Sequence, residues 1–98
     1  VIMNHPAYVI IHVNVTNTEQ YDKYRVLSGQ AMAEHGAEIL VRGGAQTILE
    51  GEFYPRTVLL KFASVEKAQA FYDSNTYKAA RELRKDASVA DFMIVEGI

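Results

Sequence analysis

Hydrophobic and polar positions alternate at the start of the chain. In Tyr8-Val9-Ile10-Ile11-His12-Val13-Asn14-Val15 the odd positions are all valine or isoleucine, while the even ones mix apolar and polar side chains. A period of two in β-branched residues predicts a strand whose wholly apolar face packs on helices. Thr16-Asn17-Thr18 breaks it. Asn17 is a fitting N-cap, and Gln20 three residues later can complete a capping-box exchange. The period then lengthens. Tyr21, Tyr24, Leu27, Ala31 and His35 recur every three or four residues, with Glu19, Asp22, Lys23, Gln30 and Glu34 facing water. This predicts an amphipathic helix to about His35, stopped by Gly36 at C′. Gly29 inside it costs roughly 1 kcal/mol against alanine, so either something approaches closely there or the helix is locally weak.

Residues 38–42 read as a second strand, Ile39-Leu40-Val41 closing on Arg42, which Gly43-Gly44 then bends. Gln46 to Glu50 continue or re-form it, and Gly51 to Pro55 make a turn. Thr57 to Phe62 read as a third strand. Ser64 caps a helix with a buried stripe of Val65, Ala68 and Phe71 or Tyr72. Ser74-Asn75-Thr76 interrupts it, Thr76 caps a further helix to about Ala87, and Phe92 to Glu96 form the last strand.

The order strand, helix, strand, strand, helix, strand is the ferredoxin-like split βαβ arrangement. The fold class expected is therefore α+β, with an antiparallel sheet in a single domain spanning 1–98, residues 1–6 being a flexible start. Right-handed crossovers put the first and last strands side by side and the third between the first and second. Helices cover one face of such a sheet. The other would carry Tyr8, Ile10 and Leu40, too apolar for water, and a second copy is the simplest cover. A homodimer is expected on this ground alone.

Composition narrows the partners. Apolar residues are 49% of the chain and charged residues 22%, ordinary values for a globular protein. A net charge of −2 argues against nucleic acid as a partner. No cysteine is present, which excludes thiolate catalysis and disulfides and suits the cytoplasm. No apolar run approaches the ~20 residues that span a bilayer, so no membrane partner is expected. Val1-Ile2-Met3-Asn4-His5-Pro6 lacks the pattern of a secretory signal, and Met3 can be the natural start. His5, His12 and His35 lack ligand spacing, so no metal is expected, and no cofactor either.

PAYVI at 6–10, EQYDKY at 19–24, LVRGG at 40–44, ILEG at 48–51, YPR at 54–56, FYDSNTYKAARELR at 71–84 and VEG at 95–97 together resemble the domain-of-unknown-function 1330 family. Their order and spacing, over nearly the whole chain, carry the resemblance. It implies a dimeric α+β barrel and no particular reaction. Relatives in the wider superfamily include cofactor-free monooxygenases, lactone isomerases and haem-binding enzymes that use the barrel interior. Asn17-Thr18 stands where the family often has Asp-Pro.

Two residues stand out for chemistry. His12 on the mixed face of the first strand is either a satisfied core histidine or a general base lining a pocket. Arg42, expected to share the dimer-facing side with Leu40, is either ion-paired with Glu50, Glu52 or Glu96 or an anion clamp. Arg56 is a second partner for Glu50 or Glu96. Two strand spacings, roughly 9.6 Å, would separate His12 from Arg42 and let both side chains converge on one small ligand. Tyr8, Asn14 and Leu40 would shape that site. Gly43-Gly44 lacks the Lys-Ser/Thr of a phosphate loop and reads as a bulge or bend. Three functions fit: an enzyme on an anionic or carbonyl-bearing metabolite, a non-catalytic ligand-binding module, or a purely structural dimer core.

Overall fold

Alternation decides β1. In the computed structural model, which describes residues 5–98, β1 (Ala7–Val15) buries Val9, Ile11 and Val13 and leaves Tyr8, Ile10 and His12 half-covered on the other face. The helix α1 (Thr18–Glu34) starts at its expected cap, where Asn17 Oδ1 accepts from the Gln20 N–H at 3.1 Å. The return half of the capping box does not form. Gln20 gives its side-chain amide to the Leu83 carbonyl at 3.2 Å, and the Asn17 N–H is already held by Ala87 O. Gly36, at φ 68°, closes the helix as expected. The buried stripe is Tyr21, Tyr24, Ser28, Ala31 and Met32, with Leu27 at its edge.

β2 (Glu38–Arg42) and β3 (Arg56–Phe62) follow, then α2 (Val65–Asp73), α3 (Asn75–Arg84) and β4 (Ser88–Glu96). Ser64 caps α2 by accepting from the Lys67 N–H. Ser74, not Thr76, caps α3. Its hydroxyl accepts from the Tyr77 N–H at 3.1 Å and donates to the Phe71 carbonyl at 2.8 Å, ending one helix and opening the next. Thr76 is spent instead on the Glu34 carboxylate. α3 stops at Arg84, and β4 begins four residues earlier than expected because Val15 and Asn14 pair with Ser88 and Val89. Gln46 to Glu50 form no strand. Gly43 donates to the Thr57 carbonyl, and beyond it residues 44–55 run as an irregular arm.

The sheet order is β2-β3-β1-β4 with every neighbouring pair antiparallel, so β1 and β2 run parallel. All three helices lie on one face, over a core of Leu60, Phe62, Phe71 and Tyr77. The fold is α+β and ferredoxin-like. α1 and α3 are joined inside it by a 2.7 Å hydrogen bond between the Tyr24 and Tyr77 hydroxyls. Burial raises both phenols above the ordinary tyrosine value. The expected flexible start falls partly on residues 1–4, which lie outside the described residues, as does Met3. Pro6 is not free, because its carbonyl accepts from the Gly97 N–H at 2.7 Å.

Candidate functional site

Register sorts the sheet residues onto faces. His12 is paired with Thr57 on β3 and Asp91 on β4, so these three side chains share the face that carries no helix. His12 Nδ1 and Thr57 Oγ1 are 3.2 Å apart. Thr57 donates to Gln46 Oε1 at 2.5 Å, and Gln46 Nε2 donates to the Tyr54 carbonyl at 3.0 Å. This chain has one direction. The Tyr54 carbonyl can only accept, so Gln46 turns its NH₂ there and its oxygen to Thr57, whose single proton is thereby used. Thr57 must then accept from His12 Nδ1–H. Neutral His12 therefore keeps its lone pair on Nε2.

Phe53 leans over the imidazole with ring centroids 5.8 Å apart. Two open depressions meet at this pair. One, of about 560 Å³, runs along Gln46, Ile48, Leu49 and Thr57. The other, of about 470 Å³, is bounded by Glu52, Tyr54 and Asp91. Both lie in the range of small-molecule sites, ~300–1,000 Å³. Glu50, Glu52 and Asp91 line them, and no arginine or lysine does. Among the described residues no three His, Cys, Asp or Glu side chains gather as metal ligands.

Arg42 is not on this face. β2 carries a bulge between Ile39 and Val41, where Ile39 pairs with Leu60 and Val41 with Leu59. Uninterrupted pairing would have set Arg42 opposite Thr57, beside His12. The extra residue sets it opposite Val58 instead, on the helix side. His12 and Arg42 are thus on opposite faces, and the structure does not bring them together. Leu40 is the bulged residue and is exposed. Tyr8 lies on the His12 face but four residues along the strand, roughly 13 Å away, opposite Lys61 and Val95. Asn14 is exposed opposite Val89. Neither lines the depressions at His12.

The ion pairs expected for Arg42 and Arg56 with Glu50, Glu52 or Glu96 do not form; among the described residues the one ion pair is Arg25–Asp22 at 3.7 Å. Thr57, Gln46, Phe53 and Asp91 are the residues that sequence reasoning passed over. Thr57 and Asp91 follow from the strand order once β1 is central. Gln46 and Phe53 sit in the irregular arm, where no periodicity marks them.

The chain belongs to the family described as a domain of unknown function, DUF1330, which matches residues 6–98. No curated protein matches it. Among solved structures it is similar to a protein of unknown function from Rhodopseudomonas palustris, with a TM-score of 0.79 and 17% identity over 98% of this chain and 85% of that one. A dimeric protein of unknown function with a ferredoxin-like fold from Bacteroides fragilis gives 0.57 and 11%, over 93% and 95%. SnoaB, a cofactor-independent oxygenase from Streptomyces nogalater, gives 0.60 and 5%, over 93% and 91%. At these identities the likeness is one of fold.

Proposed function

We propose that this DUF1330 chain acts as a homodimer on a small carbonyl- or phenol-bearing metabolite, held between the open sheet face and a second copy, with His12 Nε2 taking a proton from it. The observation that carries the reading is the one-directional chain from the Tyr54 carbonyl through Gln46 and Thr57 to His12 Nδ1–H. It leaves Nε2 as the base, and a hydroxyl or an acidic C–H of the substrate would release its proton there while the electron pair stays on the substrate. Asp91 lies across the strand from His12 on the same face. The carboxylates around the depressions disfavour an anionic substrate, so a neutral carbonyl compound or phenol fits better. Phe53 offers a ring face for it. The reaction needs no cofactor. Absence of cysteine, and of any helix among the described residues long and apolar enough to cross a membrane, is compatible with a cytoplasmic place of action.

The second copy is supported by the uncovered apolar side chains of the same face, including Val89, Met93 and Val95. A similar structure described as dimeric supports it too. The test is exchange of solvent deuterium into the carbon-bound positions of a panel of enolisable ketones and phenols, followed by NMR. The parent should accelerate exchange for at least one class, and His12→Gln should lose about a hundredfold or more of that rate while still binding the compound. Binding without exchange in the parent would make the chain a non-catalytic binding module. An unchanged rate in His12→Gln would remove His12 from the chemistry.

A further inference from the structure

The helix side of the sheet holds a second cavity, of about 120 Å³, between α1 and strands β2 and β3. Arg25, Arg42 and Arg56 edge it, Gly29 and Ser28 form its wall on α1, and no carboxylate lines it. We infer that this cavity binds a small tetrahedral oxyanion, either inorganic phosphate or the phosphoryl group of a small phosphomonoester. It is separate from the His12 site, on the opposite face of the sheet.

Charge is the first ground. Three guanidinium groups converge with little to neutralise them. Among the described residues Arg25 has only the exposed 3.7 Å contact to Asp22 one turn away, and Arg42 and Arg56 have no ion pair. Like charges gathered without an acceptor repel one another, and an oxyanion reverses the sign of that interaction. Arg56 is the second ground. Its Nε is out of solvent and has no hydrogen-bond partner, an arrangement that costs stability unless an acceptor is supplied.

The backbone around it is shaped to the same end. Gly43 is in the left-handed region at φ 66°, and the Arg56 guanidinium lies across it, with Cζ 2.8 Å from where a Cβ would stand. Only glycine lets Arg56 take this course. Gly29 contributes emptiness. Nothing lies within 4 Å of its missing Cβ, so this helix-weakening residue leaves the cavity open on the α1 side. The volume sets the size of the ligand. It is well below the ~300 Å³ at which drug-sized sites begin, and it suits one phosphate-sized group. Arginines on α1, β2 and β3 approach from three elements, which matches a group with oxygens in three directions; a planar carboxylate is satisfied by one guanidinium fork.

Titration calorimetry and thermal shift on the full chain, with inorganic phosphate, glycerol phosphate and citrate, test the inference. Phosphate or glycerol phosphate should bind and raise the melting temperature, less so as sodium chloride is increased. A preference for glycerol phosphate would identify a phosphomonoester site, and equal affinity a phosphate site. Because Arg56 packs over Gly43, the variants are at the exposed rim: Arg42→Gln, and Arg25→Gln with Arg42→Gln. Each lost charge-assisted contact should weaken phosphate affinity about tenfold. His12→Gln should bind phosphate as the parent does, so failure of the His12 reading leaves this one intact. Absence of any phosphate or phosphomonoester binding, binding of citrate alone, or affinity undiminished in the double variant would overturn it.

Discussion

Thr57 decides what His12 can do, because it touches Nδ1 and has its own proton committed elsewhere. The Nδ1–H tautomer is therefore expected for neutral His12, and nitrogen chemical shifts of the labelled imidazole would report it. Thr57→Val removes the acceptor and should leave the two tautomers mixed. A parent imidazole protonated on Nε2 would contradict the direction of the chain. That His12 faces away from the helices was legible in the alternation of β1. Its setting was only half legible, because Gln46 and Phe53 reach it from an arm with no period to read. The Tyr24–Tyr77 pair makes a separate residue-scale prediction. Burial holds both phenols protonated to higher pH than in the unfolded chain. Their stabilising effect is whole below the unfolded value near ~10 and is lost as pH rises from there toward the folded values. Urea unfolding between about pH 9 and 11 should show stability falling by up to ~1.4 kcal/mol per pH unit for each phenol. Tyr77→Phe should flatten that slope and cost ~1–3 kcal/mol at neutral pH by leaving the Tyr24 hydroxyl without its partner.

At the scale of elements, one inserted residue redirects the chemistry. The four strands that form, their order and the Asn17 and Ser64 caps were readable from periods and cap residues, whereas the strand expected over Gln46 to Glu50 does not form. The β2 bulge was not, since Ile39-Leu40-Val41 is apolar throughout and fits either face at every position. An apolar run with no alternation cannot announce its register. Glu38 comes before the slip and Arg42 after it, so Arg42 alone of the two charged residues inherits it. The cap of α3 failed for a related reason. Ser74 and Thr76 are both competent, and Ser74 wins because it can also close α2 through Phe71. Two glycines in neighbouring elements should respond oppositely to alanine. Gly29→Ala meets open space within a helix and should stabilise by about 1 kcal/mol. Gly43→Ala meets a positive φ and the Arg56 guanidinium, and should destabilise by at least ~1–2 kcal/mol. Paired urea titrations would check both signs.

For the molecule as a whole, the decisive fact is that helices cover one face of the sheet while, among the described residues, only part of the irregular arm reaches over the other. Met93 is 52% exposed directly opposite half-buried Ile10, Leu49 on the arm is 89% exposed, and Phe53 is 54% exposed over His12. These side chains lie on or beside one face, so a second copy placed there would bury them and close the depressions at His12 together. Sedimentation at micromolar concentration should accordingly give twice the 11.0 kDa chain mass. Met93→Glu puts a carboxylate on the edge strand of that face, opposite Ile10, without touching the core, and should yield a folded particle of one chain mass. The two proposed sites then part company. Exchange at His12 should fall with the dimer, because its pocket needs the second copy as a wall. Phosphate binding should persist in the monomeric variant, since Arg25, Arg42 and Arg56 surround a cavity built from α1, β2 and β3 of one chain. A monomeric parent would sink the dimer reading, and loss of both sites together in a folded Met93→Glu chain would show that the two faces are not independent.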